Sequence, residues 1–180
     1  MKLINKNKFI QKCRTHDEHA IIISGGPSID YKELKSVLSK YPKALTICVK
    51  HAYPGLIAND IKPDACILLD PRSIEGESTH GIKRKDLLKD LDEDTKFLLA
   101  SMTDPSVTNY LIEKKADIWG WHAFTESLRD DEDRKHSIKN NQVKIREDIG
   151  LPAGATLITG GTCAAMRAIG MLHTMGFRNL

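Results

Sequence analysis

The chain has no apolar run approaching the roughly 20 residues a bilayer span requires, and its start, Met1-Lys2-Leu3-Ile4-Asn5-Lys6-Asn7-Lys8, lacks the apolar core of a signal peptide. It has four cysteines, Cys13, Cys48, Cys66 and Cys163, and no Cys-x-x-Cys pair. That spacing argues against a zinc ribbon or a dithiol redox motif and fits reduced structural thiols in the cytoplasm. The seven histidines are scattered, and His16-Asp17-Glu18-His19 is not the His-Glu-x-x-His of a metalloprotease helix. Net charge is only +3, too small a surplus to point to nucleic acid. With 28% charged and 41% hydrophobic residues, the 180-residue chain is expected to fold as one domain with a sizeable core.

What the chain does have is a repeated alternation of short apolar runs and helical stretches. Ala20–Ile23, Ala44–Val49, Ala65–Leu69, Lys96–Ser101 and Ala116–Trp121 read as strands. Their unbroken apolar character suits strands covered on both faces. Between them, Asp30–Tyr41, a short helix after Pro54, Lys85–Leu91 and Asp104–Lys115 read as helices, the last with Asp104 as N-cap and Pro105 at the first position. Leu3–Thr15 is expected to be an N-terminal amphipathic helix, within a leading segment 1–18. The pattern gives an α/β fold with a doubly wound, mainly parallel sheet and helices on both faces.

Two segments stand apart. Residues 125–148 include the almost wholly charged Arg129-Asp130-Asp131-Glu132-Asp133-Arg134-Lys135-His136, an insertion expected to be either a solvated surface loop or a lid. The helix from Cys163 to Met175, capped by Gly176, leads into Phe177-Arg178-Asn179-Leu180. We expect the fold to be truncated there, at the sixth strand, with the C-terminal strand missing.

Three features are expected at one sheet edge. Ser24-Gly25-Gly26-Pro27-Ser28 follows the first strand and opens a helix, a turn suited to phosphate because main-chain N–H groups and the helix dipole face the ligand. Gly26 is the position where a side chain is expected to block backbone approach. Gly160-Gly161-Thr162 opens a second helix, with Thr162 and Ser28 as hydroxyl donors. Asp70 stands at the tip of the third strand, placed to hold Mg²⁺, to bond a ribose or to cap the next turn. Lys50, just past the second strand, is placed to neutralise phosphate charge. His51 and His122, beyond the second and fifth strands, are acid–base candidates, with an exposed or locally bonded histidine as the plain alternative. Trp119 and Trp121 share one face, for packing or for stacking on a base.

These residues resemble a known family. Ile21-Ile22-Ile23-Ser24-Gly25-Gly26-Pro27-Ser28-Ile29 is similar to the hydrophobic-Gly-x-Gly-Pro-Ser-Leu opening of the 6-hydroxymethylpterin diphosphokinase MptE-like family, also called domain of unknown function 115. Ile61-Lys62-Pro63-Asp64 with Leu69-Asp70-Pro71, then Gly160-Gly161-Thr162-Cys163-Ala164 and Met175-Gly176-Phe177, resemble its further segments in the right order. The chain departs from the pattern at Ser24-Gly25, where Gly-x is usual, and lacks the Gly-x-Asp expected after the sixth strand.

The resemblance implies a Rossmann-like fold and a nucleotide ligand. Some members transfer diphosphate from ATP to a hydroxymethyl pterin with Mg²⁺, and others are motility accessory factors linked to adding nonulosonic sugars to flagellin. The Gly-Pro-Ser opening is also similar to that of bacterial sialyltransferases, which use CMP-sugars. The expected function is a nucleotide-dependent transferase, foremost a glycosyltransferase-like protein using a CMP-activated sugar in surface glycan or flagellin modification. The alternatives are an ATP- and Mg²⁺-dependent pterin diphosphokinase and a non-catalytic nucleotide-binding module. The expected partners are a small-molecule nucleotide and an alcohol acceptor on a sugar, glycan, protein or pterin.

Overall fold

A computed structural model describes residues 8–78, 81–123, 156–161 and 163–180. Among these, seven strands form one parallel sheet: β1 (His16–Ile23), β2 (Leu45–Val49), β3 (Ala65–Leu68), β4 (Lys96–Ala100), β5 (Asp117–Ala123), β6 (Leu157–Ile158) and β7 (Phe177–Asn179). The helices are α1 (Tyr31–Lys40), α2 (Tyr53–Ala58), α3 (Pro105–Glu113) and α4 (Ala164–Thr174), with a 3₁₀ turn over Arg84–Leu88 where a brief α-helix was expected. The spatial order is β6-β5-β4-β3-β2-β1-β7. The strands from β1 to β6 advance in one direction, and α4 carries the chain back to β7 beside β1. Right-handed crossovers put connections that advance and a connection that returns on opposite faces of a sheet. Accordingly α4 packs across β1, β2, β3, β6 and β7.

The apolar runs are the centre of the sheet. All four residues of β3 are buried, as are the last four of β2 and of β4. Cys48 and Cys66 stand in register on adjacent strands, both fully buried, while Cys13 and Cys163 are exposed; all four thiols are free. Burial pushes the Cys66 thiol well above its ordinary pKa, reinforced by the hydrogen bond with Cys48. Trp121 is in the core, its indole N–H donating to the Leu98 carbonyl at 3.0 Å. Trp119, half-buried, donates to Asp117 Oδ2 at 3.2 Å, so both rings are engaged in packing and local bonds.

Helix ends follow their capping chemistry. Asp30 caps α1 by accepting from the amides of Lys32 and Glu33 at 2.8 and 3.0 Å. Asp104 caps α3 by accepting from the Ser106 amide at 2.9 Å, with Pro105 in the first turn as expected.

Three expectations are corrected. Residues 8–15 contain no helix. The segment is extended, because its backbone finds partners on other elements: the Ile10 amide donates to the Gly120 carbonyl at 2.9 Å, the Gly120 amide to the Lys8 carbonyl at 2.7 Å, and the Cys13 amide to the Thr174 carbonyl at 3.0 Å. Phe9 lies over Gly120, where a Cβ would fall 2.5 Å from its ring. The return strand expected to be missing is present as Phe177–Asn179, paired in parallel with β1. Finally, β5 runs to Ala123, so His122 lies within the strand and not beyond it. The charged stretch 125–148 lies outside the described residues. No helix among the described residues is long and apolar enough to cross a membrane.

Candidate functional site

Parallel strands end together, and open α/β sheets hold ligands in the crevice outside those carboxyl ends. Here the ends of β1, β2 and β3, Ile82, Leu87 of the 3₁₀ turn and the first residues of α4 enclose a cavity of about 430 Å³. Its walls include Ser24 and Gly25 after β1, Lys50 and His51 after β2, Asp70 and Arg72 after β3, and Cys163, Ala164 and Ala165 at the start of α4. Ile82 and Leu87 give it an apolar side. The volume lies in the range of small-molecule sites.

The floor is a charge cluster centred on Asp70, which is 3% exposed. Lys50 Nζ lies 2.5 Å from Oδ2, and Arg72 Nε lies 2.9 Å from Oδ1. The Arg72 amide also donates to Oδ1, at 3.2 Å. Arg84 Nε stands 3.5 Å from Oδ2 as an ion pair without a hydrogen bond. Burial alone would raise the Asp70 pKa; the hydrogen bonds from Arg72 and Lys50 and the charge of Lys50 outweigh it, and the carboxyl is held below its ordinary range. With three cations around one carboxylate, the cluster carries a surplus of two positive charges.

Arg84 also organises the loop above the cluster. Its guanidinium donates to the Ser73 carbonyl at 2.7 Å and to the Glu77 carbonyl. Gly76 makes room for it, since a Cβ there would fall 2.4 Å from Arg84 Nη1.

The glycine turn is built differently from the expectation. Helix α1 begins at Tyr31, so the amides of Gly25 and Gly26 are not its first turn. Gly25 is the residue of close approach: a Cβ would fall 2.7 Å from His51 Cβ and 3.3 Å from the Ala52 amide nitrogen. Gly26 faces open space, with Ser28 Oγ 3.7 Å from where its Cβ would stand, and lies outside the cavity lining. Pro27 and Ser28 are exposed and lie outside the cavity lining. At the second turn, Gly160 has φ +125° and its Cβ would meet the Met166 carbonyl at 2.7 Å, so it shapes the approach to α4. Gly161 is exposed, and Thr162 lies outside the described residues.

The two histidines are separated. His51 is exposed and lines the cavity. His122, on β5, is absent from the lining; its ring stacks on Phe9 at 4.9 Å between centroids. Its Nδ1 is buried with no hydrogen-bond partner among the described residues, and burial lowers its pKa.

The expected cluster thus gathers Ser24, Gly25, Lys50, His51 and Asp70, and adds two residues the pattern reading passed over, Arg72 and Arg84. Arg72 carries a local signal, an arginine directly after Asp70-Pro71. Arg84 sits in Lys83-Arg84-Lys85, a run that reads as solvated surface.

The donor set does not suit a resident Mg²⁺. Both oxygens of Asp70 are engaged by cations, which a metal would have to displace, and no group of three metal-ligating side chains gathers among the described residues.

Sheet order, crossover direction and crevice define a Rossmann-like α/β domain whose strand-end cavity lies over a cluster with surplus positive charge. The chain belongs to the 6-hydroxymethylpterin diphosphokinase MptE-like family, whose model matches residues 1–180. Over 96% of its length it is similar in structure to the MAf glycosyltransferase from Magnetospirillum magneticum AMB-1, with a TM-score of 0.63 and 16% identity. The chain spans 23% of that protein. At this identity the likeness is one of fold. A search of curated proteins finds no match.

Proposed function

We propose that the chain is the nucleotide-binding part of a transferase that uses a CMP-activated sugar, with an alcohol of a surface glycan or of flagellin as acceptor. One observation carries the reading: the surplus positive charge of Lys50, Arg72 and Arg84 around Asp70 at the carboxyl edge of the sheet. Likeness in fold to a glycosyltransferase supports it.

In such a reaction the bond between the anomeric carbon and the phosphate oxygen breaks, and the acceptor oxygen bonds that carbon. The leaving CMP phosphate gains a second negative charge as the bond breaks. Cations in the crevice therefore stabilise the transition state more than the bound donor, the condition for raising the rate. Lys50 and Arg72 supply that charge without a metal. Gly25 lets the β1 turn close on the β2 end. His51, exposed at the rim, takes the acceptor proton. The four free thiols fit a reducing compartment, and we place the reaction in the cytoplasm.

The family description favours a second reading, diphosphate transfer from ATP to a hydroxymethyl pterin. That reaction uses Mg²⁺, for which Asp70 and its cation partners are poorly suited.

Titration calorimetry with CMP, CMP-sialic acid and ATP, each in EDTA and in Mg²⁺, separates the two. Binding of the CMP compounds in EDTA is expected. Binding of ATP only with Mg²⁺, and of no CMP compound, would replace the first reading with the second.

A further inference from the structure

The three cations around Asp70 are not equivalent. The side chains of Lys50 and Arg84 are 9% and 8% exposed, whereas that of Arg72 is 49% exposed. Arg84 is committed elsewhere, to the Ser73 and Glu77 carbonyls. Lys50 is the hydrogen-bond donor to Oδ2. Arg72 gives Asp70 only its Nε among the described residues, and the oxygen it uses is held a second time by its own backbone amide.

The cost of withdrawing each one follows from this. A buried carboxylate stripped of a donor is strongly penalised, but Oδ1 keeps the Arg72 amide and Oδ2 keeps Lys50 when the Arg72 guanidinium swings away. Withdrawing Lys50 would strand a buried ammonium and an oxygen together. Withdrawing Arg84 would release two loop carbonyls. Arg72 is the one cation free to change partners, and it lines the cavity.

We propose that Arg72 is an exchangeable phosphate receptor: its guanidinium rests on Asp70 while the crevice is empty and transfers to the phosphate of the bound donor, while Lys50 and Arg84 stay as the fixed pair. Arg72 is then the ligand-binding residue of the cluster, and Asp70 positions it between its two partners. A guanidinium meets a phosphate with two parallel N–H donors, which an ammonium cannot reproduce. This inference rests on the reading of the crevice as a donor-phosphate site.

The test compares the wild-type chain with Arg72→Gln and Arg72→Lys by calorimetry in EDTA at low salt, against CMP, cytidine and inorganic phosphate, with a ligand-free melt of each variant. For Arg72→Gln, affinity for CMP and for phosphate is expected to fall roughly 10- to 100-fold, the size of lost hydrogen bonds to a charged group. Arg72→Lys should recover only part of that loss. Affinity for cytidine should not change, and the ligand-free melting temperature should move by less than about 2 °C because a half-exposed pair contributes little. Equal affinity of wild type and Arg72→Gln for CMP would overturn the inference and leave the nucleotide reading intact. Arg72-dependent binding of phosphate without binding of any nucleotide would sustain the receptor role and end the nucleotide reading. A wild-type chain that binds neither would end both.

Discussion

Replacing Asp70 by Asn tests the cluster as a balance of charges. The substitution keeps the shape and removes the negative charge that faces three cations. Two of those cations, Lys50 and Arg84, have side chains under one-tenth exposed, and the third, Arg72, is half exposed. Breaking a buried pair by neutralising one partner costs about 3–5 kcal/mol. The lower end applies here, because the amide oxygen can still accept from the Arg72 backbone and the cavity admits water to Arg72. A cost of about 3 kcal/mol in a chain of this size corresponds to a fall of roughly 6–12 °C in melting temperature. The assay is a thermal melt followed by circular dichroism, with and without inorganic phosphate. Phosphate should raise the melting temperature of the variant more than that of the wild type, since a surplus of three positive charges attracts it more strongly than a surplus of two. Acid adds a third readout. The folded pKa of Asp70 lies below its ordinary value, so its contribution is complete above about pH 4 and fades as pH falls through the lower folded value. The gap between wild type and variant should therefore narrow below pH 4. A variant melting within about 2 °C of wild type at neutral pH, or one that phosphate stabilises less than wild type, would refute this account of the cluster.

The other predictions concern the turn and the outlying histidine. Gly25→Ala should cost about 1–3 kcal/mol in a denaturant melt, because its Cβ would fall 2.7 Å from His51 Cβ, whereas Gly26→Ala should stay within about 0.5 kcal/mol. Equal costs at the two positions would show that the turn does not close on the β2 end. Burial lowers the His122 pKa, so the folded state favours the neutral ring; stability is full above the ordinary value of about 6.5 and is lost as pH falls below it. His122→Phe, which keeps an aromatic partner for Phe9, should lose less melting temperature than wild type between about pH 7.5 and pH 5.5. Parallel curves for the two proteins would remove His122 from the acid response.

The sheet was legible because strands buried on both faces must be apolar throughout, and Ala44–Val49 or Ala65–Leu69 can hardly be read otherwise. The segment ending at Thr15 was misread for a related reason. Phe9 and Ile10 do turn toward the body of the protein, whereas Cys13 is exposed, and the spacing of the three imitates a helix face. The bonds that hold this stretch extended come from Gly120 and Thr174, more than a hundred residues away, and no local pattern contains them. The site divides in the same way. Asp70, Lys50 and the glycine turn lie at strand ends, where sequence position fixes spatial position. Arg84 reaches Asp70 from a 3₁₀ turn 14 residues further on, and nothing in Lys83-Arg84-Lys85 distinguishes the buried arginine from its exposed neighbours. His122 was expected beyond the fifth strand and lies within it, outside the crevice at the ends of β1, β2 and β3, because strand order, and not strand count, decides which ends share a crevice.

The free cysteines divide the molecule by timescale. Cys48 and Cys66 sit side by side at the middle of the sheet, both sealed from solvent, and burial holds the Cys66 thiol protonated, so a thiol reagent reaches them only when the central strands part. Cys163 stands exposed on the crevice wall, and Cys13 stands exposed on the segment that crosses to β1. Without any added label, the native chain thus carries slow clocks for the opening of its centre and fast ones at its rim. One of the fast pair stops or runs according to what fills the crevice.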